Sequence, residues 1–100
     1  MKRLFISQPM SDKTDEEIKA VRMEAIKRAQ ELLAEDVEVI DSFFESAPHN
    51  AKPLWFLGKS FELLSNADIA YFAKGWDKYR GCKMEHLAAQ EYGIKTIEEE

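Results

Sequence analysis

Leu4-Phe5-Ile6-Ser7-Gln8-Pro9-Met10-Ser11-Asp12-Lys13-Thr14-Asp15-Glu16-Glu17-Ile18 is the stretch on which the fold turns. Leu4-Phe5-Ile6 is a nearly continuous apolar run, as expected of a strand buried on both faces. Pro9 removes a backbone donor and ends that strand after Ser7-Gln8. Thr14 followed by Glu17 is a capping-box pattern, and Asp15 and Glu16 put negative charge at the positive end of a helix. Ile18, Val21, Ala25, Ala29, Leu32 and Leu33 then fall on one helical stripe. Asp15–Lys19 and Glu24–Arg28 have i,i+4 spacing on its polar side. A buried strand, a short turn and a long helix form the first half of a parallel crossover unit.

The rest of the chain repeats that alternation. Residues 37–40 (Val37-Glu38-Val39-Ile40) read as a second strand, at an edge because Glu38 interrupts it. Residues 41–53 form a loop long enough to suggest a function. Leu54, Leu57, Gly58, Phe61 and Leu64 mark a second helix, with Pro53 in its first turn. Ile69-Ala70-Tyr71-Phe72 is a third strand, followed by a basic and aromatic loop over residues 74–80. A third helix spans residues 82–92 and ends at Gly93, a left-handed cap. Ile94-Lys95-Thr96-Ile97 is the last strand, before an acidic tail. Right-handed crossovers then give a four-stranded parallel sheet of order 2-1-3-4 with helices on both faces: an α/β, flavodoxin-like or Rossmann-like three-layer sandwich. Ligands of such sheets sit beyond the carboxyl ends of the strands where the order reverses, here between strands 1 and 3.

Composition narrows the function. One hundred residues with no Pro/Gly-rich gap make a single domain, and 45% apolar content supports one core. The lone Cys82 allows no intrachain disulfide and points to a reducing compartment. Apolar runs are too short to cross a membrane. Met1-Lys2-Arg3 leads into a strand with no signal-peptide core, so a cytoplasmic location is expected. A net charge of −5 argues against nucleic-acid backbones as partners. The first glycine is Gly58, which excludes a dinucleotide fingerprint or P-loop after strand 1. Two histidines and one cysteine, scattered over three segments, do not make a metal site.

Glu85, in the second turn of the third helix, is expected to share a face with Gly81, Ala88, Ala89 and Tyr92. Burial there raises a carboxyl pKa while the helix end favours its ionised form. That is the environment of a glycosyl nucleophile; an ordinary helix glutamate paired with Lys83, His86 or a loop lysine fits the pattern too. Lys74, Lys78, Arg80 and Lys83, interleaved with Trp76 and Tyr79, suit a phosphate at a helix N-terminus with an aromatic ring stacking on a base. They equally describe a solvated loop. Ser7 and Ser11 offer a second anion cradle before the first helix. Cys82 and His86, one turn apart, read as a packed cysteine beside a surface histidine.

Residues 5–11 (Phe5-Ile6-Ser7-Gln8-Pro9-Met10-Ser11), residues 66–70 (Asn66-Ala67-Asp68-Ile69-Ala70), and Gly75-Trp76 with residues 80–86 (Arg80-Gly81-Cys82-Lys83-Met84-Glu85-His86) resemble the nucleoside 2-deoxyribosyltransferase-like superfamily, and most closely its short bacterial and phage members. The resemblance implies cleavage or exchange of the N-glycosidic bond of a nucleoside or its 5′-monophosphate through a deoxyribosyl–glutamate intermediate, with no cofactor. Glu85 matches the nucleophile. Ser7, Ser11 and Arg80 are expected to hold phosphate, with Gln8, Pro9, Met10, Gly75 and Gly81 around the substrate and Trp76 or Tyr79 facing the base. Asp41 and Asp77 are the proton-donor candidates. The family's aspartate in the helix before strand 3 is replaced by Ser60, its strand-1 tyrosine by Phe5, and the residue six before the nucleophile is Tyr79. A non-catalytic nucleotide sensor is therefore the rival reading. The resemblance also implies a homodimer or higher homo-oligomer, for which Phe43, Phe44, Trp55, Phe56 and Phe61 supply apolar surface.

Overall fold

The computed structural model describes residues 1–9, 13–40 and 49–99. Its elements follow in the order β1 (Lys2–Ser7), α1 (Asp15–Leu33), β2 (Val37–Val39), α2 (Pro53–Leu64), β3 (Ile69–Phe72), a single 3-10 turn (Trp76–Lys78), α3 (Arg80–Glu91) and β4 (Lys95–Glu98). All three strand pairings are parallel and the sheet order is β2-β1-β3-β4. The expected topology is the observed one. β2 sits at one edge, and β1 and β3 lie at the centre, with every residue of β3 buried.

Strand alternation divides the core into two halves. Leu4, Ile6, Ile69, Tyr71 and Ala73 face α1, where Ala25 and Ala29 bring the helix close to the sheet. Phe5, Ala70 and Phe72 face the opposite way, against Leu64 of α2 and Ala89 of α3. The molecule is thus an α/β/α sandwich, doubly wound in the Rossmann-like manner.

The termini of the elements follow local chemistry. Thr14 caps α1 through a complete capping box: Glu17 N donates to Thr14 Oγ1 at 3.1 Å, and Thr14 N donates to Glu17 Oε1 at 3.5 Å. Pro53 occupies the first turn of α2, and Gly93 takes a positive φ of 74° after α3. Other details differ from expectation. Leu32 is 52% exposed, because Leu33 already faces the core from the last turn of α1. Arg28 reaches across to Glu99 (2.8 Å). α1 ends on Ala34 in the left-handed region (φ 56°) although no glycine stands there. α3 begins two residues earlier than expected, at Arg80, and β4 is displaced by one residue, to Lys95–Glu98. Asp68 accepts the Arg3 amide at 2.8 Å, closing the start of the β1–β3 ladder.

Candidate active site

β1 and β3 end side by side, with Ala73 N donating to Ser7 O at 2.9 Å. At this point successive side chains go to opposite faces. Ser7, in step with Phe5, projects toward α3, and Gln8 toward α1.

Ser7 Oγ donates to Glu85 Oε1 at 2.7 Å, a buried bond between residues 78 positions apart. Glu85 is only 8% exposed. Burial pushes its carboxyl above the ordinary value of 4.5, and hydrogen bonds from the Ser7 and Ser60 hydroxyls pull partly the other way. Glu85 opens on a cleft of about 620 Å³ between α2 and α3, whose walls include Pro53, Leu57, Ser60, Arg80 and Gly81, with Lys52 at its margin. A Cβ placed on Gly81 would meet nothing within 4 Å, so the first turn of α3 leaves open space one turn from Glu85.

Cys82 is a free, buried thiol. Burial raises its pKa; the Ser7 hydroxyl counteracts this and the Glu85 carboxylate adds to it. A thiol held protonated in this way is a poor nucleophile. His86 is not the surface residue expected. Its ring stacks on Trp76 (centroids 4.0 Å apart) and meets the edge of Phe72, and its Nε2 lies 2.8 Å from Glu98 Oε1. The Thr96 hydroxyl, 2.6 Å from the same oxygen, is the main cause of a lowered Glu98 pKa, and His86 adds to it.

The sequence-derived site residues therefore separate into three groups. Glu85, Arg80 and Gly81 share the α2–α3 cleft, with Ser7 beneath them on Glu85. Gln8, Pro9, Gly75 and Tyr79 line a cleft of about 420 Å³ on the α1 side. Trp76 and Asp77 line a third, near β4, with His86 and Glu98, and Gly75 borders this one as well. Met10, Ser11 and Asp41 lie outside the described residues, as do Phe43 and Phe44. Two contacts were not foreseen: Ser7 serves Glu85 directly rather than a phosphate, and Ser60 joins it. The period-two placement of Ser7 on the Phe5 face was the available signal for the first. Among the described residues, no three His, Cys, Asp or Glu side chains gather as metal ligands, and no helix is long and apolar enough to cross a membrane.

Comparison with known proteins returns no match: no family model, no curated protein and no solved structure aligns with this chain.

Proposed function

We propose that the Glu85 cleft is the active site of an N-glycosidase or deoxyribosyl transferase acting on a nucleoside 5′-monophosphate. The observation that carries the reading is a buried carboxylate, held by Ser7 at the switch point of the sheet and facing a cleft that also contains Arg80. The resemblance of the Arg80–Glu85 segment to nucleoside 2-deoxyribosyltransferases supplies the reaction class.

Ser7 fixes one carboxylate oxygen, so the other is the attacking atom. It forms a bond to C1′ as the C1′–N bond breaks, and the bonding pair leaves with the base, which takes up a proton. Water, or a second base in transfer, then attacks C1′ and returns the carboxylate; two displacements retain configuration. Arg80 would bind the 5′-phosphate as a charge-assisted donor. Asp77 lines a different cleft from Glu85, which leaves Asp41 as the proton-donor candidate.

A non-catalytic nucleotide sensor is the second reading, favoured by Ser60 beside Glu85 where the resembled enzymes carry an acid. Incubation with a panel of nucleosides and 5′-monophosphates, with free base followed by chromatography, separates the two. The enzyme releases base from at least one monophosphate, and Glu85→Gln abolishes that release while binding stays within about tenfold, since only the covalent route is lost. Absence of release from every compound, together with ligand-induced thermal shifts, would establish the sensor instead.

We further place the protein in the cytoplasm, a reducing compartment that suits its free Cys82, and as a homodimer. Phe61 and Leu87, exposed apolar side chains of α2 and α3 outside the Glu85 cleft, support the self-association, whereas Leu54, Phe56 and Met84 line that cleft.

A further inference from the structure

The α1 side of the switch point carries chemistry that the Glu85 cleft does not use. Gln8 lies at the end of β1, only 7% exposed. Its Nε2 donates to the Ile18 carbonyl in α1 at 3.3 Å, which fixes the orientation of the amide. Its Oε1 is buried and has no hydrogen-bond partner. Leaving a buried acceptor unpaired is destabilising, and such a group in a folded protein calls for an explanation.

Gln8 belongs to the wall of the cleft of about 420 Å³, and three lysines, Lys13, Lys74 and Lys78, surround it. The one carboxylate in that wall, Glu17, is already engaged by the Thr14 amide and hydroxyl. Three ammonium groups thus meet one occupied carboxylate in this wall, in a chain of net charge −5, and Lys74 and Lys78 stand between it and the third cleft, which Asp77, Glu98 and Glu99 line. The two lysines from the β3–α3 connection are held in place by their turn. Gly75 takes a positive φ of 89°, Trp76 N donates to Ala73 O, and Lys78 N donates to Gly75 O, each at 3.0 Å. Lys74 and Lys78 are thereby presented from either end of one tight turn.

We propose that Gln8, Lys13, Lys74 and Lys78 form a second binding site, on the α1 face of the sheet, for a phosphate monoester whose alcohol part bears a free hydroxyl or amino group. The lysines take the phosphate, and the ligand's hydroxyl or amino donor satisfies Gln8 Oε1. The site is separate from the Glu85 cleft because Ser7 and Gln8 leave the strand on opposite faces, and it stands or falls independently of the glycosidase reading.

The test is a titration of the ¹⁵N-labelled full chain with glycerol 3-phosphate, inorganic phosphate and glycerol, followed by NMR at the Gly75 amide and the Gln8 side-chain NH₂. Saturable shifts are expected with glycerol 3-phosphate, weaker ones with inorganic phosphate and none with glycerol. Lys74→Glu/Lys78→Glu should weaken binding at least tenfold, and Arg80→Ala, which removes the phosphate partner of the Glu85 cleft, should leave it within twofold. Gln8→Leu, which removes the orphaned acceptor, should keep the folded spectrum and the phosphate response but erase the preference for glycerol 3-phosphate. The proposal is overturned by non-saturating shifts, by equal affinity for the two phosphates, by binding that survives the double lysine change, or by binding lost on Arg80→Ala.

Discussion

Glu85 is held between opposing effects: desolvation favours its neutral form, and two serine hydroxyls favour its charge. Its folded-state pKa lies above the ordinary 4.5, so the folded protein binds more protons than the unfolded chain between those two values. The stability contribution of this group is therefore fully present below 4.5 and is lost as pH rises through the raised value. Glu85→Gln should accordingly raise the midpoint of thermal unfolding at neutral pH, with the difference from wild type shrinking as pH falls toward 4.5. In the proposed reaction the ionised carboxylate is the nucleophile, so base release should climb with pH through the same raised value. An activity profile flat across that range would separate Glu85 from the chemistry. Arg80→Ala should weaken monophosphates by roughly 1.5–3 kcal/mol and spare free nucleosides, as measured by calorimetry. The burial of Glu85 was legible in the sequence because it stands among small residues on a helix face. Its partners were not, because Ser7 and Ser60 meet it only through tertiary packing, and a serine carries no local mark of where its hydroxyl will point.

Among the elements, α1 is the one whose two ends obey the sequence unequally. Its start is a complete capping box, and Thr14→Ala should cost about 1 kcal/mol. Its end is a left-handed alanine, a conformation disfavoured by roughly 1–2 kcal/mol for any residue with a Cβ. Ala34→Gly should therefore stabilise the protein by about 1 kcal/mol, which at this size raises the thermal midpoint by roughly 4–8 °C in a calorimetric scan. The capping box was readable because it is written in four consecutive residues. The Ala34 conformation was not, because it is imposed by the need to return the chain into β2 rather than chosen by the residue. The same holds for the β3–α3 connection. Its basic and aromatic residues look like one patch in sequence, yet the 3-10 turn sends Trp76 and Asp77 to the β4 side while Tyr79 serves the α1 side and Arg80 the Glu85 cleft.

For the molecule as a whole, strand order was legible because four short strands and three helices in strict alternation leave few right-handed topologies. The apolar surface that this topology leaves on α2 and α3 bears on assembly. Phe61 and Leu87 are exposed on these two helices outside the Glu85 cleft, which Leu54, Phe56 and Met84 line. Light scattering at micromolar concentration should give the mass of two chains, and Phe61→Glu should return it to one. The order β2-β1-β3-β4 also governs how the protein resists being pulled apart. Because all strands run the same way, the start of β1 and the end of β4 lie at opposite ends of the sheet, with β3 hydrogen-bonded to both. A force applied between Lys2 and Glu98 runs along the strands. It loads the rungs of the β1–β3 and β3–β4 ladders together, in shear, instead of unzipping them one at a time. Tension on the chain ends thus meets the sheet in its mechanically strongest direction, whereas a load applied across neighbouring strands would peel it open.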